Sequence, residues 1–207
     1  MYARTATLRG RPAAVDQAVA FVRDEWLPST SDLEGCTGLS MLVGRGSGRC
    51  IVTTGWETEQ TMLASADGMR AHRARLGKLL GAVPVVGQWE VAVMHRARPS
   101  GERSSARVTW SALRDPATMD EDIATFRMTL LPRIEELVGF SSVSLMVDRL
   151  AGRAVAAVTY VDREAMLAAG QQADALQADY ARQLGGRITE VAELDLAVAH
   201  LRIPQTV

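Results

Sequence analysis

The chain has 207 residues, of which 47% are hydrophobic and 23% charged, and its formal net charge is -1 at pH 7. This is the composition of an ordinary globular protein, and it excludes a disordered chain. Charges of both signs are interspersed, so no basic surface for a nucleic-acid backbone is predicted. No segment reaches the roughly 20 apolar residues that a membrane span requires, and no signal-peptide core is present at the amino terminus. We therefore expect a cytoplasmic protein with neither nucleic acid nor membrane as a partner.

The first half of the chain predicts the order strand, helix, hairpin, helix, strand. Runs rich in β-branched and aromatic residues predict strands over residues 2–8, 36–43, 50–56 and 90–95. The first helix carries its apolar residues on one face, namely Val15, Val19, Val22 and Trp26. Pro28 is expected to end this helix, because proline lacks the backbone N–H that a helix needs, and Thr58 is a good N-cap for the second helix.

The second half repeats the first, and there Pro132 is expected to end the first helix and Asp162 to cap the second. The segment at 33–43, LEGCTGLSMLV, returns at 137–147 as LVGFSSVSLMV, 104 positions later. An internal repeat of this kind indicates two copies of one structural unit. The segment 97–105 between the copies is polar and rich in turn-forming residues, which is typical of a linker. The predicted organisation is therefore a repeat over 1–96, a linker over 97–105 and a second repeat over 106–207.

Each copy has the order β-α-β-β-α-β, the ferredoxin-like unit. Two helices cover only one face of its four-stranded sheet, yet the strands are apolar on both faces, so the second face needs another cover. The predicted fold class is α+β, with two ferredoxin-like repeats whose antiparallel sheets pack into one pseudo-two-fold dimeric α+β barrel. Two independent domains joined by a linker are the alternative.

Two short runs carry a resemblance to a known family. The run Leu33–Cys36 leads into the second strand, and the run Gly55–Gln60, GWETEQ, follows the third strand and opens a helix. In these runs the chain resembles the antibiotic biosynthesis monooxygenase superfamily of dimeric α+β barrels, as a tandem fused version. The resemblance implies a small-molecule protein: some members oxidise polycyclic phenols without metal or flavin, others degrade haem, and many have no assigned reaction.

Haem degradation is disfavoured by the same comparison. The haem-degrading branch uses an asparagine on the first strand and a tryptophan and a histidine on the second helix. Neither first strand of this chain contains asparagine, and the position of that tryptophan is Ser65 or Ala169. No cluster of His, Cys and carboxylate residues has metal-ligand spacing either. We therefore predict neither a cofactor nor a metal.

His72 is the candidate catalytic residue. Its counterpart in the second copy, Leu176, lies on the apolar face of its helix, so His72 is expected to point inward beside Met69. An imidazole with a pKa near 6.5 suits proton transfer at neutral pH, and here it would act as general base on a phenol or enol. The alternative is a core histidine held by one backbone carbonyl.

Aromatic residues are the candidate substrate contacts. Trp56 and Tyr160 occupy matching positions at the end of the third strand of each copy, where each could face a ligand or fill the core. Trp110 belongs to one copy only, and it could line a cavity or fill it. The predicted substrate-binding residues are Trp56, Met69, Trp110 and Tyr160.

The function that the sequence favours is a cofactor-independent monooxygenase, or a related small-molecule enzyme, acting on an aromatic or polyketide-like substrate. The alternative is a non-catalytic module of the same fold that binds a small ligand or serves assembly. The predicted partner is a small apolar or aromatic molecule, and pairing of the fused barrel into a homodimer stays open. Because Phe140 stands where the first copy has Cys36, the first half is expected to keep the functional cavity.

Overall fold

A computed structural model of the chain describes residues 1–99, 101, 103–113, 115–184 and 186–201. Both repeats show the same order of elements. The strands are β1 (Tyr2–Arg9), β2 (Cys36–Gly44), β3 (Arg49–Trp56), β4 (Val85–Arg96), β5 (Ser105–Ala112), β6 (Phe140–Asp148), β7 (Arg153–Tyr160) and β8 (Arg187–Leu201). The helices are α1 (Val15–Phe21), α2 (Leu27–Thr30), α3 (Glu59–Ala64), α4 (Arg70–Leu80), α5 (Met119–Thr125), α6 (Leu131–Glu135), α7 (Arg163–Ala168) and α8 (Gly170–Leu184).

The strands form one antiparallel sheet system. Their hydrogen-bonded order is β1-β3-β2-β8-β5-β7-β6-β4, which is a closed barrel. In the hairpins β2–β3 and β6–β7, Val43 lies opposite Cys50 and Val147 lies opposite Ala154, so the two copies pair in equivalent registers. The predicted α+β class, with two ferredoxin-like repeats and a closed antiparallel barrel, is confirmed.

The chain divides into two compact units. Unit 1 comprises Met1–Glu90 and the described part of Asp195–Pro204, and unit 2 comprises Val91–Leu194. Within unit 1 the carboxyl-terminal part of β8 pairs with β2, with Val198 opposite Met41. The repeat boundaries, 1–96 and 106–207 with the linker 97–105, stay a prediction, and Ser100 and Glu102 of that linker lie outside the described residues.

Each unit has its own hydrophobic core between its sheet and its helices. The core of unit 1 includes the buried side chains of Val15, Trp26, Met41, Leu76 and Leu80. The core of unit 2 includes those of Met119, Phe126, Leu145, Tyr160 and Met166. Burial of each large apolar side chain stabilises the fold by about 1.5–3 kcal/mol. The apolar helix faces predicted from the sequence therefore explain why the helices pack against the sheet.

The expectation that Pro28 and Pro132 end the first helix of each copy is wrong. A π-helical turn precedes each proline, at Val22–Trp26 and at Phe126–Leu130, and helix follows it. In the first copy the Leu27 N–H bonds to the Val22 carbonyl, five residues back. The wider turn places the proline in the first turn of the next helical segment, where its missing N–H breaks no hydrogen bond.

The predicted caps of the second helix are confirmed, but the helix itself is divided. The Thr58 and Asp162 side chains accept from the Thr61 and Ala165 N–H groups, as N-caps do. In the first copy a turn over residues 65–69 separates α3 from α4. Two arginine side chains hold this turn: Arg4 donates to Ser65 Oγ and Arg73 donates to the Ala66 carbonyl.

Candidate functional site

A cavity lies inside unit 2, between strands β5, β6 and β7 and the helical layer that covers them. Its atom-free space, including the opening to solvent, is about 610 Å³. The helical layer contributes mainly apolar side chains, among them Phe126, Leu130, Ile134 and Leu176. A mostly apolar lining with a few polar groups is typical of small-molecule sites.

The polar groups of this cavity come from alternating strand positions. Arg107, Thr109 and Ser111 lie two residues apart on β5, so their side chains share one face of the sheet. Arg107 stands opposite Val158 of β7, two residues before Tyr160. The guanidinium of Arg107 and the phenol of Tyr160 therefore lie on the same face, at one end of the cavity.

Arg107 is held in a network of charges. Its guanidinium contacts the Asp174 carboxylate and donates to Glu193 Oε1 at 3.3 Å and to Gln177 Oε1 at 3.4 Å. The Gln177 amide in turn donates to Thr109 Oγ1 at 2.6 Å. Only the buried Nε of Arg107 has no hydrogen-bond partner within the described part of the chain. The network holds the guanidinium in place and leaves the buried Nε–H of Arg107 without an acceptor in the described residues.

Tyr160 has an unusual environment for a tyrosine. Its side chain is 0% exposed, and its hydroxyl has no hydrogen-bond partner among the residues that the structure describes. Burial raises the pKa of Tyr160 to about 12, with a further contribution from Glu193, while Arg107 opposes the shift. The hydroxyl is therefore protonated at neutral pH and is a donor. A buried hydroxyl without a partner costs about 1–3 kcal/mol, and such a group in a cavity marks a contact point for a ligand.

Three of the equivalent positions of unit 1 carry larger side chains. Trp26 stands where the cavity has Leu130, Met69 where it has Ala173, and Leu8 where it has Ser111. All three are buried, and the Trp26 indole N–H lies 3.3 Å from Met69 Sδ. The described cavity lies in the second half of the chain. The expectation that the first half keeps the functional cavity stays a prediction.

The structure places the predicted substrate-binding residues in different surroundings. Tyr160 alone lines the unit 2 cavity. Trp56 is 0% exposed in the core of unit 1, with its indole N–H donating to Thr54 Oγ1 at 3.1 Å. Met69 packs in the same core beside Trp26, and Trp110 is half-buried on β5 outside the lining of the cavity. Their roles toward a substrate stay predictions.

His72 lies half-buried on α4 of unit 1, and its ring contacts Ser29 of α2. Its Nε2 is 2.9 Å from Ser29 Oγ, and its ring is 5.7 Å from the Trp26 ring and 6.2 Å from the Phe21 ring. Because the Ser29 hydroxyl donates to the Trp26 carbonyl, Nε2 carries the proton and donates to Ser29. The Nδ1 atom is buried without a partner among the described residues. The catalytic role of His72 is untested by this geometry, which holds it by a hydroxyl instead of the expected backbone carbonyl.

We expect His72 to make the stability of unit 1 depend on pH. Burial lowers the pKa of His72 from 6.5, Arg75 lowers it further, and Glu25 opposes the shift. Below about pH 6.5 the unfolded chain therefore binds a proton that the folded chain does not, so the free energy of unfolding falls as the pH falls. Urea unfolding of wild type and His72→Gln between pH 5 and 8 checks this, and parallel curves for the two proteins would contradict it.

Tyr160 is the one lining residue that the sequence predicts, and the polar residues that it does not predict include Arg107, Gln177 and Tyr180. A signal for Arg107 was present: Ala3-Arg4 and Ala106-Arg107 match, so both copies keep an arginine within a largely apolar strand. Burial raises the pKa of Tyr180 as well, with a hydrogen bond from Ser111 opposing the shift. Nothing in the sequence pattern of α8 distinguishes Gln177 from a solvent-facing residue.

The described residues show neither a metal-binding group nor a membrane-spanning helix. Within those residues, no three His, Cys, Asp or Glu side chains are grouped so that they could share a metal ion. No helix in the described ranges is long and apolar enough to cross a membrane.

Comparison with known proteins gives several sequence relatives and several structural ones. "Uncharacterized protein Rv2557" of Mycobacterium tuberculosis strain H37Rv is 41% identical over 208 residues, which cover 100% of this chain and 92% of that protein. No protein-family model matches the chain.

Among solved structures, a candidate monooxygenase of Lactobacillus acidophilus NCFM has a TM-score of 0.67 at 10% identity, covering 97% of this chain and 96% of its own. An anthrone oxidase-like protein has a TM-score of 0.63 at 14% identity, covering 96% and 92%. At these identities the likeness establishes the fold, which is the one that antibiotic biosynthesis monooxygenase-like proteins share. The family resemblance seen in the sequence is confirmed at that level.

Proposed function

The chain belongs to one family with Rv2557 of Mycobacterium tuberculosis, and we propose that it binds a small apolar or aromatic molecule in the unit 2 cavity. The observation that carries the proposal is the buried Tyr160 hydroxyl, which lines a mostly apolar cavity and has no partner within the described part of the chain. The Arg107 Nε–H is a second unused donor in the same lining. One acceptor oxygen on a ligand can take hydrogen bonds from both donors.

The charges around Arg107 define the kind of acceptor. Asp174 and Glu193 already balance the guanidinium, and together they leave one net negative charge beside the cavity. An anionic ligand group gains no net attraction from these charges, because the two carboxylates outweigh the guanidinium. The acceptor is therefore a neutral oxygen, such as a ketone or quinone carbonyl, on an aromatic or polyketide-like skeleton.

Removing the Tyr160 hydroxyl tests the proposal. Tyr160→Phe weakens binding of an anthrone-type ketone about tenfold, the loss of one buried hydrogen bond, and raises the free energy of unfolding of the unliganded chain by about 1 kcal/mol. Isothermal titration and urea unfolding measure the two effects. Tyr2→Phe is the control, because it removes a hydroxyl from a half-buried residue of β1. It changes neither the affinity nor the free energy of unfolding. Equal affinity of Tyr160→Phe and wild type would place the ligand elsewhere.

Cofactor-independent oxygenation of the bound molecule is the second candidate function. The fold likeness to a candidate monooxygenase and to an anthrone oxidase-like protein favours it. In such a reaction a phenol or enol loses a proton and the resulting anion reacts directly with oxygen. His72, the proposed base, lies in unit 1 and does not line the unit 2 cavity. Glu193 accepts from Arg107 and adds to the effect of burial in raising the pKa of Tyr160, so this carboxylate lies near both groups.

Oxygen uptake with an anthrone substrate separates these roles. Strongly reduced uptake in His72→Ala, with the fold intact by circular dichroism, assigns the base to His72. Uptake that survives His72→Ala and is lost in Tyr160→Phe assigns the chemistry to unit 2. Saturable binding without oxygen consumption supports the binding module alone.

A further inference from the structure

Unit 1 contains a counterpart of Arg107 in opposite electrostatic surroundings. Arg4 stands opposite Thr54 in β3, and Arg107 stands opposite Val158 in β7, which is the equivalent of Thr54. Arg4 is only 3% exposed. Its guanidinium donates through Nη1 to Ser65 Oγ at 2.8 Å and through Nη2 to the Met62 carbonyl. Both of these groups are neutral.

A second arginine approaches the same turn. Arg73, which stands where unit 2 has Gln177, donates through Nη2 to the Ala66 carbonyl at 2.8 Å. Ala66 follows Ser65, so Arg4 and Arg73 hold neighbouring residues. The Nη1 of Arg73 is buried and has no hydrogen-bond partner in the described ranges. Two guanidinium groups therefore meet at the turn between α3 and α4, and one of them has an unused donor.

The acidic partners of unit 2 are missing at the equivalent positions. Arg70 stands in place of Asp174, and Gln88 stands in place of Glu193. Among the described residues, the carboxylate that pairs with one of these arginines is Asp67, which is exposed and lies 2.5 Å from Arg70. Three guanidinium groups and one carboxylate leave a formal charge of +2. The corresponding group in unit 2, Arg107 with its two carboxylates, has a formal charge of -1.

Holding like charges together has an energetic cost that the pKa shifts reflect. Burial, and then the charge of Arg73, lower the pKa of Arg4. Burial, and then Arg70, lower the pKa of Arg73, while Asp67 opposes the shift. Arginine nonetheless stays protonated at physiological pH, so the repulsion persists unless a counter-ion relieves it.

Capping of α3 explains only part of this arrangement. The Met62 and Ala66 carbonyls lie near the carboxyl-terminal end of α3, where positive side chains are favourable. A guanidinium has five N–H donors, however, and Arg73 uses one of its terminal nitrogens for this contact. One arginine satisfies a capping role, whereas two arginines with an unused buried donor form a fork suited to an oxyanion.

We propose that Arg4 and Arg73, with Arg70 at the rim, form a binding site for a phosphate group in unit 1. The ligand is either free phosphate or the phosphate of a small organic molecule. The Arg73 Nη1 and the remaining Arg4 donors bind its oxygens. The site is distinct from the unit 2 cavity and does not depend on the function proposed for that cavity.

Titration of the full chain with inorganic phosphate, at constant ionic strength set by chloride, tests this site. Wild type binds phosphate saturably, and Arg73→Gln, which installs the residue that unit 2 has there, binds about tenfold more weakly. Arg75→Gln is the matched control, because Arg75 lies on the same helix, is exposed and pairs with Glu25. It leaves phosphate binding unchanged.

Three further outcomes complete the test. Arg70→Gln changes an exposed side chain and keeps the fold, so a weaker affinity in that variant supports the site even where Arg73→Gln misfolds. Tighter binding of a phosphomonoester than of inorganic phosphate assigns the site to the phosphate of an organic ligand, and the reverse order assigns it to the free ion. Absence of saturable binding by wild type, or equal losses in Arg73→Gln and Arg75→Gln, overturns the proposal.

Discussion

Replacing Ala173 with methionine is expected to abolish ligand binding in unit 2 while the fold remains intact. Ala173 is buried on α8 and lines the cavity, and the equivalent residue of unit 1, Met69, is packed against Trp26. A methionine at 173 therefore has a native precedent for its size and direction. Because its side chain extends into the space that a ligand needs, we expect affinity to fall about 100-fold or more, which corresponds to about 2.7 kcal/mol.

The control for this prediction is on the same helix. Ala175→Met adds the same side chain at an exposed position of α8, so it should leave both affinity and stability unchanged. Isothermal titration with an anthrone-type ketone measures the affinities, and urea unfolding measures the stability. Methionine fills existing space in Ala173→Met, so the usual overpacking cost of about 1–3 kcal/mol should be reduced. Wild-type affinity in this variant would show that the ligand binds outside the cavity.

The fold was predictable because both halves of the sequence carry the same pattern of strands, helices and turns. Apolar spacing on helices, β-branched strands and glycine-rich turns agree between the copies, and agreement at several levels specifies a structure strongly. The caps at Thr58 and Asp162 follow directly from side-chain chemistry. The π-helical turns before Pro28 and Pro132 did not follow, since a proline inside a helix is compatible with an end, a kink or a wider turn.

The candidate site was harder to predict than the fold. The aromatic ring of Tyr160 predicts a substrate contact, and Tyr160 does line the cavity. Its hydroxyl has no partner among the described residues because the side chain is buried, and the spacing of residues in the sequence does not indicate this. At three lining positions, Ser111, Leu130 and Ala173, unit 2 has smaller side chains than unit 1. No single difference predicts a cavity from the sequence, because the three positions lie far apart along the chain.

The same comparison explains why the two arginines are informative. Both copies retain an arginine at the same position, Arg4 in unit 1 and Arg107 in unit 2. The side chains that contact this arginine differ between the units. In unit 2 the partners are carboxylates and an amide, which fix the guanidinium beside a mostly apolar cavity. In unit 1 Arg73 adds a second positive charge. Divergence of charge around a retained residue is therefore the observation that separates the functions proposed for the two units.

Truncation of Trp56 is expected to have the largest effect on stability. Its indole is fully buried in unit 1 and bonded to Thr54, so Trp56→Ala removes packing and leaves a cavity, at a cost of about 3–5 kcal/mol. Tyr160→Ala, at the matching position of unit 2, should cost clearly less, because that side chain borders existing space and its hydroxyl has no partner within the described residues. Urea unfolding of both variants measures the difference.

Trp110→Ala provides the reference for this comparison, because it removes a large aromatic side chain from a half-buried strand position. Its cost should lie below that of Trp56→Ala. Equal costs for Trp56→Ala and Tyr160→Ala would mean that both aromatics only fill a core, and Tyr160 would then lose its assigned part in ligand binding. A clear difference means that one duplicated position serves packing in unit 1 and borders a binding cavity in unit 2.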